Sequence, residues 1–173
     1  SYPFFANHAQ HLKRVSAIFV DQFKDKRYWI GANDSLYLWD KGVLNVILDK
    51  NKKPITPITI HQDKNSELWV GTASKGVYRL INDHVVAHYS TDNILPSNKC
   101  RSITSSENAI WVASDVGIIK IEPYEGEAQL YNQLDGLVSN EVRDISYSRG
   151  KIWASTVKGL MSFDVDLGSD NPV

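Results

Sequence analysis

One cysteine, Cys100, stands among 173 residues, so no disulfide can form within the chain. Charge of one sign is also lacking: 19 Lys and Arg face 20 Asp and Glu, for a formal net charge of −1. Nucleic-acid binding through phosphate contacts needs a basic excess that this chain does not have. Attraction to an anionic membrane surface is disfavoured on the same ground. No apolar run reaches the roughly 18 residues of a spanning helix, and the first residues do not read as a signal peptide. No direct membrane insertion of this segment is therefore expected. No stretch shows an apolar stripe of period 3.6 over helical length. What remains is a chain 42% apolar and 23% charged, ordinary for a globular fold, and long enough for one domain or a piece of a larger one.

What the chain does have is a repeat. Tyr28-Trp29-Ile30-Gly31-Ala32, Leu68-Trp69-Val70-Gly71-Thr72, Ile110-Trp111-Val112-Ala113-Ser114 and Ile152-Trp153-Ala154-Ser155-Thr156 are versions of one pentapeptide. Their tryptophans stand 40, 42 and 42 residues apart. A period in the low forties with one aromatic per unit is that of a four-stranded propeller blade. Each unit opens on an apolar pair three apart: Val15 and Ile18, Ile55 and Ile58, Cys100 and Ile103, Val142 and Ile145. The pair starts an alternating first strand. A polar turn such as Asp63-Lys64-Asn65-Ser66 then leads into the tryptophan strand. Gly76, Gly117 and Gly159 precede the third strands and are read as supplying a backbone angle that a β-carbon resists; the first unit lacks this glycine. Fourth strands, Val43 to Leu48, Val85 to Tyr89 and Ala128 to Tyr131, are weaker in pattern. The stretch from Asp92 to Asn98 matches Asp135 to Asn140 as a link between blades.

The fold class read from this is all-β, a β-propeller of about four blades of four antiparallel strands. Its repeats cover approximately 15–54, 55–99, 100–141 and 142–166 of a single, partial domain spanning 1–173. Residues 2–6 (Tyr2 to Ala6) stand where a fourth strand would, while the last unit ends without one. A stray strand and a vacancy predict pairing, because an open sheet edge exposes its donors and acceptors. Within one chain such pairing closes a four-bladed ring. Between two chains it makes a homodimer through edge strands, with eight blades. The preferred expectation is a third one, that the chain is part of a longer propeller.

The tryptophan strand, the glycine before Val77-Tyr78, and the link Asn93-Ile94-Leu95-Pro96-Ser97-Asn98 together resemble the two-component regulator propeller repeat. Asp135-Gly136-Leu137-Val138-Ser139-Asn140 is close to the same signature. The resemblance covers residues 2–166 and is weakest in the first unit. It implies the periplasmic or extracellular sensor region of a histidine kinase, often a hybrid one, held in the inner membrane. It also implies a small-molecule ligand, with oligosaccharide as the candidate. No kinase, receiver or membrane-spanning part is read in this chain.

The chemistry-bearing residues are read conservatively. The four repeat tryptophans are assigned to packing between blades rather than to sugar platforms, since they recur at one register flanked by apolar neighbours. Trp39, whose counterparts are Leu80, Ile121 and Phe163, is read as core. Cys100 aligns with Val15, Ile55 and Val142 and reads as a buried small apolar residue. His8, His11, His84 and His88 lack a definable third ligand, so no metal or cofactor is expected. Asp164 and Asp166 read as a solvated edge. No nucleophile motif is present, which makes a propeller lyase or hydrolase the lesser alternative and a non-enzymatic sensor the favoured one, beside a protein-interaction scaffold. Geometry nominates one ligand face, formed by the loops between second and third strands and by the links. Its residues are Asn33, Asp34, Ser74, Lys75, Asp115 and Lys158 from the loops, and Asn93, Asn98, Asp135 and Asn140 from the links. Amides, carboxylates and lysines suit a hydroxyl-rich ligand, although asparagines in such places are also ordinary turn formers.

Overall fold

The computed structural model describes residues 12–32 and 34–165, and these fold into four antiparallel sheets in chain order. The first holds β1 (Ala17–Val20), β2 (Arg27–Ala32), β3 (Ser35–Asp40) and β4 (Val43–Ile47); the second holds β5 (Pro57–Gln62), β6 (Leu68–Thr72), β7 (Val77–Ile81) and β8 (His84–Tyr89). The third holds β9 (Ser102–Ser105), β10 (Ile110–Ala113), β11 (Ile118–Glu122) and β12 (Glu127–Tyr131). The fourth has three strands, β13 (Val142–Ser148), β14 (Lys151–Thr156) and β15 (Gly159–Asp164). Within each sheet every strand pairs with its neighbours in sequence, so each is a meander built from hairpins. No α-helix occurs among the described residues; one 3-10 turn, Gln133–Asp135, lies in the link before the fourth sheet. The all-β propeller architecture expected from the repeat is the one found. The stray strand at 2–6, the tail after 165 and Asn33 lie outside the described residues.

The sheets meet through their first strands, β1 against β5, β5 against β9 and β9 against β13, which places those strands innermost. Each second strand also touches the first strand of the following sheet. The core therefore lies between blades. Trp29 packs with Ile55, Leu68 and Val70 of the second blade, and Trp69 with Cys100, Ile103 and Val112 of the third. Trp111 packs with Val142, Ile145, Ile152 and Ala154 of the fourth. Alternation along each strand explains the division: residues in register with the tryptophan face the next blade, and their neighbours face the previous one. Cys100 is buried and its thiol pKa is pushed up by desolvation, in keeping with a packing role.

Three expectations need correction. Trp153 is 42% exposed, whereas Trp29, Trp69 and Trp111 are buried, because no following blade covers it among the described residues. Val15 is likewise exposed while its sequence counterparts Ile55, Cys100 and Val142 are buried, since no preceding blade covers that side of the first sheet among the described residues. In the second repeat the inward position belongs to Ile60, not Ile58. Ile60 stands opposite Val70, as Ile103 stands opposite Val112, so the inward pair three apart is Pro57 and Ile60, and Ile58 is exposed in the β-bulge between Pro57 and Thr59.

The glycine before the third strand has the role read from the sequence. Gly76 and Gly117 have φ of +75° and +143°, and a β-carbon on either would overlap the carbonyl oxygen of Tyr89 or Tyr131 on the fourth strand. Gly126 also has positive φ, +74°, but stands in open space. Gly76→Ala is expected to cost at least about 2 kcal/mol, strain plus overlap, against about 1 kcal/mol for Gly126→Ala, strain alone. Urea unfolding of the two variants checks this.

Candidate functional site

In an antiparallel meander the loops between second and third strands lie at the same end of the sheets as the links between blades. The expected face therefore exists as a place. Its polar groups are largely occupied. In the link 90–99 the Asn93 Oδ1 accepts from the Ser90 backbone N–H, and the Asn98 Oδ1 accepts from that of Thr91, both at 2.8 Å. In the link 132–141 Asp135 Oδ2 accepts from the Asn132 N–H at 2.9 Å, and Asn140 Oδ1 from that of Gln133 at 2.7 Å. The two links share one set of braces, closed by the buried Leu95 and Leu137, whose N–H groups bond back to Ser90 and Asn132. Such side-chain bonds to local backbone are what favour Asn and Asp in turns.

Asp115, in the loop between β10 and β11, ties that loop to the link. It accepts from Ser97 Oγ at 2.7 Å and pairs with Lys99 Nζ at 2.9 Å. Partial burial pushes its carboxyl pKa up, but the bonds from Ser97 and Lys99 outweigh this and hold it below the usual value. Asp34 is exposed, with φ of +62°, and its carbonyl accepts from Thr56. Ser74, Lys75 and Lys158 are exposed, and their side chains make no hydrogen bond or ion pair among the described residues. Among the described residues, these three and the Asp34 carboxylate have unspent capacity on this face.

The hollows between blades open at the other end of the sheets. A cavity of about 60 Å³ lies between the first two blades, lined by Asp21, Arg27, Trp29, Gln62 and Asp83. Arg27 is buried there among three carboxylates, bonding Asp83 at 2.6 Å and lying 3.9 Å from Asp21 and 3.4 Å from Asp40. Trp29 Nε1 finds no protein acceptor among the described residues, and the cavity has the room and polarity for ordered water. The equivalent indoles are satisfied: Trp69 donates to Asp63 and Trp111 to Ser106. A second hollow, about 240 Å³, lies between the β5–β6 and β9–β10 turns and is lined by Asp63, Asn65, Ser106 and Tyr124. None of the nine described residues nominated from sequence lines either hollow.

His61 is the residue that sequence reading passes over. It lies on the innermost strand β5 and its Nε2 meets Ser105 Oγ of the third blade at 2.8 Å. Only its place on a first strand pointed to the centre, and nothing in its neighbours pointed to a partner 44 residues away. His88 stacks on Tyr78 at 4.1 Å and bonds the Lys75 carbonyl, so that ring supports the loop of the expected face. Three carboxylates, Glu122, Glu125 and Glu127, converge at the outer β11–β12 turn, where Lys120 pairs with Glu122.

The chain is similar to histidine kinase P4 of Formosa agariphila, 26% identical over 92% of this chain and 13% of that protein. No protein-family model matches it. Among solved structures it is similar to the extracellular domains of two putative hybrid two-component systems of B. thetaiotaomicron, BT3049 and BT4673. The TM-score is 0.71 for each, at 22% and 19% identity, over 92% and 94% of this chain. It spans 28% and 22% of those two chains. The resemblance drawn from the repeat, to two-component sensors with extracytoplasmic propellers, agrees with these relatives. Among the described residues no helix is long and apolar enough to cross a membrane.

Burial lowers the His61 pKa below 6.5, only partly offset by nearby Asp63. The folded state thus favours the neutral ring, and His61 removes stability as pH falls below about 6.5, the unfolded value. NMR titration should place the His61 pKa below 6.5. His61→Gln should flatten the fall in thermal stability between about pH 6.5 and 5.

Proposed function

We propose that this chain is a ligand-sensing extracytoplasmic part of a two-component receptor, that the region itself is not catalytic, and that it takes a hydroxyl-rich small molecule such as an oligosaccharide. The observation that carries the reading is the histidine-kinase likeness over 92% of the chain, joined by the fold shared with extracellular domains of hybrid two-component systems. The relatives are several times longer, so kinase output and membrane anchoring belong to parts outside this chain. The four-repeat division over 15–54, 55–99, 100–141 and 142–166 is the proposed unit boundary set.

Ligand contact is proposed at the loop-and-link face. Lys75 and Lys158 supply uncommitted ammonium donors, Ser74 a hydroxyl and Asp34 a carboxylate, with Asn33 adjoining in sequence. The link residues Asn93, Asn98, Asp135 and Asn140, with Asp115, act as braces that hold the face in shape, and reach a ligand only through coordination sites their turn bonds leave open. A homodimer through edge-strand pairing, with residues 2–6 completing the fourth sheet of a partner, belongs to the same reading.

One observation favours a protein-interaction scaffold as the second reading: most polar groups on the nominated face are already spent inside their own loops. A thermal-shift screen against neutral and acidic oligosaccharides separates the two, since a ligand that binds only the native state raises its melting temperature. A sugar that stabilises the chain, with the shift lost in Lys75→Ala plus Lys158→Ala, supports the sensor reading. A full panel without a shift favours the scaffold.

A further inference from the structure

The first blade departs from the second and third at the turn before its tryptophan. In the second blade a backbone bond from Asp63 to Glu67 closes that turn, and Asp63 Oδ1 accepts from the Asn65 and Glu67 N–H groups. The other oxygen of Asp63 takes the Trp69 indole N–H at 2.9 Å. In the first blade Asp21 closes on Arg27 by the same backbone bond, and its Oδ1 likewise accepts from two turn N–H groups, those of Phe23 and Lys24. Here the turn is two residues longer, and Asp21 takes no bond from the indole. Trp29, only 2% exposed, is left with an indole N–H that has no acceptor, and it lines the cavity of about 60 Å³ between the first two blades. Arg27 Nε is a second buried donor with no acceptor in bonding geometry, and Asp40 Oδ1 is a buried acceptor with no donor. Gln62 cannot serve them, because its Oε1 accepts from the Gln22 N–H and its Nε2 donates to Asp21. Buried polar groups left without partners are costly, so a cluster of three beside one cavity points to an occupant.

We propose that this cavity is a binding site for a neutral polyhydroxy compound, which inserts one hydroxyl or hydroxymethyl group between the first two blades. A volume of about 60 Å³ takes more than one water and falls short of a whole sugar ring, so the rest of the molecule lies outside. An open hollow lined by Lys26, Asp40 and Lys41 adjoins the cavity there, and Lys24, Arg27 and Asp83 line both. Charge selects against ionic ligands. One guanidinium stands among three carboxylates, so an anion in the cavity is repelled. The two unspent N–H groups, on Trp29 and Arg27, carry no lone pair to offer a cation. A hydroxyl accepts and donates at once. One such group accepts from Trp29 or Arg27, and a neighbouring hydroxyl of the same molecule donates to Asp40. The site shares its ligand class with the proposed function but lies at the opposite end of the sheets from the loop-and-link face, and it stands on the cavity alone.

Two-dimensional NMR of the indole N–H groups tests this, with the isotope-labelled chain titrated by glycerol, erythritol and methyl β-glucopyranoside, and by acetate as the charged comparison. The Trp29 resonance is assigned as the one missing from Trp29→Phe. Contacts from the indole N–H to the methyl groups of Leu68 and Leu80, which line the same cavity, give that assignment without relying on the variant to fold. At least one of the three polyols should shift the Trp29 resonance and saturate in the millimolar range expected of so small a ligand. Those of Trp69 and Trp111, already bonded to Asp63 and Ser106, should stay in place. Asp40→Asn should weaken the binding about tenfold, the usual loss when a bond to a charged group is removed. Lys75→Ala plus Lys158→Ala should leave it unchanged, so failure here and failure of the loop-and-link face are read separately. A Trp29 resonance unmoved by all three polyols overturns the proposal and leaves ordered water as the occupant. A shift caused by acetate and by none of the polyols overturns it as well, and so does a saturable shift that the lysine double variant abolishes.

Discussion

An indole on the second strand of one blade, closed over by the first two strands of the next, is the contact on which the other features depend. It sets the period, because each unit must deliver both a tryptophan face and a cover for the previous one. It also explains the residue two places after the tryptophan. A β-carbon on Gly71 would overlap Cys100 and Thr59, so the start of the next blade can sit close only if that position stays small. In the second and third blades the indole N–H is then served locally, by Asp63 or Ser106 from the turn that precedes the strand. Packing and polar satisfaction thus come from one hairpin, which is why the motif can be repeated without redesign.

Polar contacts around this core join blades rather than strands. Arg27 reaches Asp83 of the second blade, Lys64 pairs with Glu107 of the third, and Arg101 pairs with Glu141 at the start of the fourth. Within the second blade, Arg79 is clamped in a two-pronged bond to Glu67 at 2.6 and 2.8 Å, and lies over the rings of Trp69 and Tyr124. A buried guanidinium held this way is costly to leave unpaired, so its worth is in fixing the angle between neighbouring elements more than in net stability. The consequence for function is a stiff rim. The links are braced by their own asparagines, and the loop of Asp115 is pinned to one of them, so a ligand would meet a preformed surface.

Features set by local chemistry were legible in the sequence. The tryptophan strands, the glycines before the third strands and the equivalence of the two links follow from period, turn residues and backbone geometry, and Asn98 and Asn140 make the same bond in both links. What depended on one blade meeting another was not legible. The inward pair of the second blade, Pro57 and Ile60, stands two residues later than the repeat alignment places it. Trp153 is exposed because no following blade covers it among the described residues, which no repeat alignment reports. His61 and the hollows at the β1–β2 turns arise from side chains about one repeat apart, placed together only by the stacking of sheets. For the nominated face, residue types did not say that most of its amides would be spent holding the turns.

The most direct test of the central contact compares Trp111→Ala with Trp153→Ala by urea unfolding. The account predicts a loss of about 3–5 kcal/mol for Trp111→Ala, the usual result of emptying a buried aromatic site. For Trp153→Ala it predicts less than about 1 kcal/mol, because no blade covers that ring within one chain. Equal losses at the two positions would contradict the claim that the following blade is what makes the indole stabilising.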